Sequence, residues 1–224
     1  MTWMSQSLQI QIPGGDAVSA LLDAPAQAHA AYVFAHGAGA GMGHVFMTEL
    51  AGLLAQQGVA TLRFQFPFME RGERRTDAPP VAQAAVRAAV GEAAARLPGV
   101  PLFAGGKSFG GRMTSQAQAA QVLDGVRGLV FVGFPLHPAG KPSTDRARHL
   151  ADVSLPMLFL QGTRDALAEL PLVQGTVGAL GARATLHVVD AADHGFDVLV
   201  RSGRTHPEVM DELAATMTAW MRSH

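Results

Sequence analysis

The stretch Gly105-Gly106-Lys107-Ser108-Phe109-Gly110-Gly111 constrains what this chain can fold into more than any other. It follows a short apolar run, Leu102-Phe103-Ala104, and leads into a polar, alanine-rich segment of helical character, Arg112 to Ala120. Strand, tight turn and helix is the setting in which Gly-x-Ser-x-Gly forms a nucleophile elbow. The turn is too sharp for side chains at Gly106 and Gly110, which would meet the neighbouring strand and helix, and it strains the serine backbone. Ser108 is thereby held at the strand tip, with the N-terminal amides of the next helix directed toward it.

Two other readings of the glycines fail on spacing. Gly106-Lys107-Ser108 resembles the end of a phosphate-binding Walker A loop, but that pattern needs a glycine where Pro101 stands. The run Gly37-Ala38-Gly39-Ala40-Gly41-Met42-Gly43 suggests a dinucleotide fingerprint, yet Met42 or His44 falls where its third glycine belongs. The following strand, Val59 to Phe66, also ends without the acidic residue that would hold a ribose.

A chain of 224 residues, 48% hydrophobic, suits one domain with a substantial core, and a single domain over residues 1–224 is expected. The net charge of −1 argues against nucleic acid or a membrane surface as a partner. The absence of cysteine excludes disulfides, thiolate catalysis and zinc–cysteine sites. The first residues, Met1-Thr2-Trp3-Met4-Ser5-Gln6, lack a basic and then apolar leader pattern, and no apolar run approaches a membrane span. A cytoplasmic protein is expected, either monomer or homodimer.

Read in order, Leu8 to Ile12 alternates as a half-exposed strand, and Ala17 to Leu22 returns beside it after Pro13-Gly14-Gly15. Ala31 to Ala35 is a continuous apolar run, as expected of a strand buried on both faces. A helix from about His44 to Gln57 stops at Gly58, Val59 to Phe66 is a strand, and Pro79-Pro80 introduce an alanine-rich helix from Val81 to about Leu97. Gly128 to Phe134 and Met157 to Leu160 are further buried strands, with a short helix, Asp145 to Val153, between them. Leu167 to Leu180 reads as a helix interrupted by Pro171, Ala184 to Val189 as the last strand, and Pro207 to about Met221 as the last helix, capped by Thr205. Such alternation predicts an α/β fold, a mostly parallel sheet of about eight strands with helices on both faces.

In an open α/β sheet, functional residues gather beyond the carboxyl ends of the strands. Ser108, Asp165 and His194 each follow a predicted strand, in the chain order serine, acid, histidine of the α/β hydrolases. A serine hydroxyl needs a base to take its proton, the role expected of His194, and Asp165 is expected to orient that imidazole. Asp190 and Asp193 also lie near the histidine in sequence. Asp165 is preferred because it stands at a strand end, whereas Asp193 is adjacent to the ring it would have to face. His36 reads as a structural residue anchoring the glycine loop. The oxyanion hole is expected from the backbone N–H groups of Phe109, just after the serine, and of Ala38, in the loop His36-Gly37-Ala38-Gly39. The loop Pro67 to Arg75 leaves the same sheet edge, so Phe68 and Met69 are expected to wall an acyl pocket and Arg71 to border it. Its arginines are matched by Glu70, Glu73 and Asp77, which favours a self-paired loop over an anion site. No cofactor is required, and no spacing of histidines and carboxylates suggests a metal.

The segments Phe34 to Gly39, Gly105 to Arg112, Phe134 to Pro142 and Leu160 to Asp165 resemble α/β hydrolases of dienelactone-hydrolase type. More narrowly they are similar to the family that includes Tex30 and the KANL3 subunit of a histone acetyltransferase complex. The resemblance spans nearly the whole chain, and Pro135 to Pro142 is its most specific part. It implies the α/β-hydrolase fold and places the triad on Ser108, Asp165 and His194. Independently of it, the short spacing of successive core elements leaves no room for an inserted cap, and none is expected. Serine stands where dienelactone hydrolases proper use cysteine, which argues against dienelactone itself as the substrate. A serine hydrolase of a small-molecule carboxylic ester or thioester is the expectation. The alternative is an interaction module of the same fold whose triad is idle.

Overall fold

A computed structural model describes residues 3–224. The leader reading takes in Met1 and Thr2, which lie outside the described residues. Eight strands, β1 (Trp3–Gln11), β2 (Ala17–Pro25), β3 (Ala30–Ala35), β4 (Val59–Phe64), β5 (Leu102–Lys107), β6 (Val126–Val132), β7 (Met157–Gly162) and β8 (Ala184–Val189), form one sheet. Their order is β1-β2-β4-β3-β5-β6-β7-β8. The first two join antiparallel, β2 meets β4 antiparallel, and every later pairing is parallel. This is the α/β-hydrolase fold.

The continuous apolar strands resolve into two faces once the pleat is applied. In β3, Ala31, Val33 and Ala35 join the core on one side, while Ala30, Tyr32 and Phe34 join the core on the other. The same division splits Met157 and Phe159 from Leu158 and Leu160 in β7. Burying each such Val, Leu or Phe side chain contributes roughly 1.5–3 kcal/mol.

Helices α1 (Val45–Gln56) and α6 (His206–Ser223) cover the second face through Phe46, Leu50, Val209, Leu213 and Met217. On the first face lie α3 (Pro79–Arg96), α4 (Phe109–Ala120) and α5 (Leu170–Leu180), which follow the single-turn α2 (Pro67–Glu70). Alanine-rich α3 packs closely because Ala82, Ala85, Val86, Ala89 and Ala93 recur at helical spacing and are all buried.

Some boundaries differ from expectation for identifiable reasons. Pro171 does not interrupt a helix; it starts one, because α5 begins at Leu170 and a first-turn proline gives up no intrahelical hydrogen bond. The fourth strand ends at Phe64, since Pro67 and Phe68 open α2. The segment Asp145–Asp152 is 3-10 rather than α-helical. Thr205 caps α6 as expected, in a reciprocal box with Glu208.

Candidate active site

Ser108 sits between the last residue of β5 and the first of α4, with φ 51° and ψ −113°. A non-glycine residue stays there only where its surroundings over-determine the backbone. Those surroundings are the glycines. A Cβ on Gly106 would stand 2.3 Å from the carbonyl oxygen of Ala35, and one on Gly110 would stand 2.4 Å from the same oxygen. The start of α4 thus rests directly on the end of β3.

His194 lies in the loop after β8. Its Nε2 is 2.8 Å from Ser108 Oγ, and its Nδ1 is 2.7 Å from Asp165 Oδ2. Asp165 follows β7 and is buried. Three donors converge on its carboxylate: the imidazole and the Gln161 amide on Oδ2, and the Leu167 N–H, at 2.7 Å, on Oδ1. Asp193 is otherwise engaged, because its Oδ1 accepts from the N–H groups of Gly195 (2.8 Å) and Asp197 (3.1 Å) and so closes the loop on itself. The backbone carbonyl of Asp190 accepts from Arg204 at 3.0 Å. The imidazole therefore bridges serine and aspartate, with Nδ1–H donating to Asp165 and the Nε2 lone pair facing the hydroxyl.

The histidine loop is fixed by distant partners. A Cβ on Gly162, which ends β7, would meet the carbonyl oxygen of Ala192 at 2.3 Å. The N–H of Arg164 donates to that same oxygen at 2.8 Å, and the N–H of Ala191 donates to Thr163 Oγ1 at 2.8 Å. Ala191 and Phe196 both adopt positive φ, 60° and 69°, which is unusual without glycine.

The glycine loop after β3 is braced from β4. Arg63, buried and paired with Asp23 at 2.7 Å, also donates to the carbonyl of Met42 (2.8 Å) and to Thr48 Oγ1 (3.0 Å). Gln65 Oε1 accepts from the N–H of Met42 at 3.0 Å. His36 is wholly buried: Nδ1–H donates to the carbonyl of Gly37 (2.7 Å), and Nε2 accepts from the N–H of Phe66 (3.0 Å). Burial lowers its pKa to about 4, against the opposing hydrogen bonds to backbone carbonyls.

A cavity of about 460 Å³ opens beside Ser108 and His194. Its apolar walls are Val45, Phe46 and Met47 of α1 together with Leu167. Ala38 lines it, and Phe109 is the first residue of α4, where an N–H has no intrahelical acceptor. Phe68, Met69 and Arg71 do not line this cavity. Phe68 is fully buried between His36 and Phe109, with ring centroids 5.9 and 6.1 Å away, and Met69 packs onto the core beneath. Arg71 borders a separate hollow beside Pro13 and Pro80, and is held by Glu73 (2.9 Å) and Asp77 (2.8 Å). The chain turns back into the core at α2, so the apolar wall comes from α1 instead.

Sequence reasoning gave no role to Gln161, Arg63, Gln65 or Lys107. The available signal was chemical. An amide or cation inside a strand that is otherwise apolar must find partners when buried, and Arg63 in Val59–Phe64 and Gln161 in Met157–Gly162 are such residues. Among the described residues, no cluster of three or more His, Asp or Glu side chains is placed to hold a metal ion. Nor, among the described residues, is any helix long and apolar enough to cross a membrane.

A family model described as an alpha/beta hydrolase domain matches residues 28–222. Solved structures share the architecture. A dienelactone hydrolase from Anabaena variabilis superposes with a TM-score of 0.80 at 19% identity, covering 100% of this chain and 99% of the other. An α/β serine hydrolase without a lid from Xanthomonas campestris gives 0.76 at 23% identity, covering 98% and 96%. The esterase domain of a Rhodothermus marinus protein gives 0.74 at 17% identity, covering 98% of each chain.

Proposed function

The chain belongs to the alpha/beta hydrolase domain family, and from that premise we propose that it is a serine hydrolase of carboxylic esters or thioesters, acting as one catalytic domain. The carrying observation is the unbroken line from Asp165 Oδ2 through both nitrogens of His194 to Ser108 Oγ, at 2.7 and 2.8 Å. In this reading Ser108 Oγ attacks the substrate carbonyl carbon as its proton passes to His194 Nε2. Asp165 holds the imidazole in the tautomer that can accept that proton and stabilises the imidazolium. The carbonyl oxygen becomes an oxyanion facing the N–H groups of Phe109 and Ala38, donors that need no rearrangement when charge develops. Collapse breaks the bond to the alkoxide or thiolate, which takes the proton from His194. Water, deprotonated by the same nitrogen, then cleaves the acyl-serine.

The walls of Val45, Phe46, Met47 and Leu167 suit an apolar acyl or alcohol group. An interaction module would have no use for a serine held at positive φ and aligned with a histidine and a buried acid. We assign the chain to the dienelactone-hydrolase type, in the Tex30/KANL3-like branch, on Gly105 to Arg112 and Pro135 to Pro142, and place it in the cytoplasm. The test is labelling by a fluorophosphonate probe together with hydrolysis of p-nitrophenyl esters. Wild-type protein should react and Ser108→Ala should lose both activities while keeping its melting temperature. An unlabelled wild type would favour the module.

A further inference from the structure

Lys107 lies inside the serine motif but takes no part in the chemistry above. It is the last residue of β5, and its side chain crosses to the histidine loop, where the ammonium donates to the main-chain carbonyl of His194. Two aromatic rings flank the charge, with centroids 5.5 Å away for Phe46 of α1 and 5.0 Å away for Phe196 of the loop. Those rings stack on each other at 5.9 Å, and Phe196 is fully buried despite its positive φ. Gly133, after β6, closes the remaining side: a Cβ there would lie 3.1 Å from Lys107 Nζ and 3.5 Å from the His194 carbonyl oxygen. The end of β5, the end of β6, α1 and the histidine loop therefore meet at one ammonium group.

We propose that Lys107 is a positioning residue that locks the His194 loop onto the serine turn through the His194 carbonyl and the Phe196 ring. The role rests on the catalytic reading above. The chemistry explains why a lysine serves here. The His194 carbonyl accepts from an ammonium, and a charged donor makes a stronger bond than a neutral one. The two rings take up the rest of the charge through their electron-rich faces. An ammonium has no acceptor capacity, so it cannot compete for the Ser108 proton. Asp165, Asp193, Asp197 and His194 are the ionisable groups around it, with His44 and His206 across the same cavity. Burial pulls the amine pKa down to about 8, and the three carboxylates oppose that fall. Deprotonation at higher pH weakens both the hydrogen bond and the cation–π contacts, so the lock is strongest below that value.

The measurement is the rate at which a fluorophosphonate modifies Ser108, followed from pH 6 to 10, with ester kcat and KM and the melting temperature alongside. Small displacements of a catalytic group cost up to about 10²-fold. Lys107→Met should therefore slow labelling and kcat by about 10- to 100-fold, with KM changed much less. The wild-type rate should decline as pH rises through about 8, and the Met variant should lose that decline. Because the chain has no cysteine, Lys107→Cys can be alkylated selectively with 2-bromoethylamine, which returns an amine to the position and should restore most of the rate. A labelled wild type with an unaffected Met variant, or a defect that aminoethylation restores in melting temperature but not in rate, overturns the positioning role. A wild type that is not labelled at all overturns the catalytic reading instead.

Discussion

The turn that carries Ser108 is packed backbone against backbone, with Gly106 and Gly110 both resting on the Ala35 carbonyl. The loop that carries His194 is held mainly by groups far away in sequence: Thr163, Arg164 and Lys107. Its two left-handed residues, Ala191 and Phe196, are not glycines. The first region is specified by the residues it contains. The second is specified by what surrounds it, and its strained backbone persists because Phe196 is buried against Phe46. The proposed base is thus more adjustable than the proposed nucleophile.

The sharpest way to break that contrast is a matched pair of glycine substitutions. Gly110→Ala puts a Cβ 2.4 Å from the Ala35 oxygen and 2.6 Å from the His36 oxygen, both backbone atoms that cannot yield. It should give no folded protein. Gly195→Ala meets only side-chain atoms, Asp197 Oδ2 at 3.1 Å and Asp193 Oδ1 at 3.2 Å. Each need give only a few tenths of an ångström, so the cost should be about 1 kcal/mol in denaturant unfolding. A folded Gly110→Ala of normal stability would show that the serine turn is not built as described.

The same contrast decides what a reader of the sequence could see. The parallel sheet, the serine turn and the candidate acid and base were legible because each depends on local pattern: apolar runs, paired glycines, and strand ends facing one edge. The bracing residues were not. Nothing around Lys107 in sequence points to a carbonyl 87 residues later, and nothing around Arg63 points to Met42 or Asp23. The pocket wall was misplaced for a related reason. Phe68 and Met69 follow a strand on the correct edge, but α2 turns them into the core. Sequence fixes which edge a loop leaves, and packing decides which way its side chains face.

Within the histidine region, the two carboxylates should respond unequally to amidation. Asp165→Asn leaves an amide able to present a donor to His194 Nδ1, favouring the wrong tautomer, and should lower kcat by about 10⁴-fold, or roughly 5.5 kcal/mol. Asp193→Asn keeps an Oδ1 acceptor for the Gly195 and Asp197 N–H groups and should cost less than about 10-fold. Reversal of the two effects would move the acid to Asp193. Steady-state hydrolysis of one p-nitrophenyl ester suffices.

A third test uses the histidine beside the serine turn. His36 is neutral and bonded through both nitrogens, and its pKa falls from the 6.5 of an unfolded chain to about 4 in the fold. The unfolded state therefore binds the extra proton first. Stability from this group is complete above about 6.5 and is lost as pH falls toward 4, by roughly 3 kcal/mol in total. Chemical unfolding of wild type should weaken across that window. His36→Gln, which keeps a donor and an acceptor but does not titrate, should flatten part of the slope. An unchanged slope would assign the acid sensitivity elsewhere, with the part-buried His149, lowered to about 4 by burial and by Arg112, as the next group to examine.

The smallest expected effect belongs to Arg71. Its guanidinium is solvent-exposed and already satisfied by Glu73 and Asp77, and Asp77 separately accepts from the N–H of Phe68 at 2.8 Å. Removing the arginine leaves Asp77 still fixing the start of α2. Exposed ion pairs contribute little, so Arg71→Ala should shift the melting temperature by no more than about 2 °C. Because Arg71 faces a hollow beside Pro13 and Pro80 and not the cavity at Ser108, kcat/KM should be unchanged for neutral and carboxylate-bearing esters alike. The matching change inside the cavity, Phe46→Ala, should raise KM for long apolar acyl esters more than for acetate, since Phe46 walls the cavity. If Arg71→Ala selectively weakens the carboxylate-bearing ester, the substrate must extend beyond this cavity to the far side of α2, and the wall assigned to α1 would be only part of the binding surface.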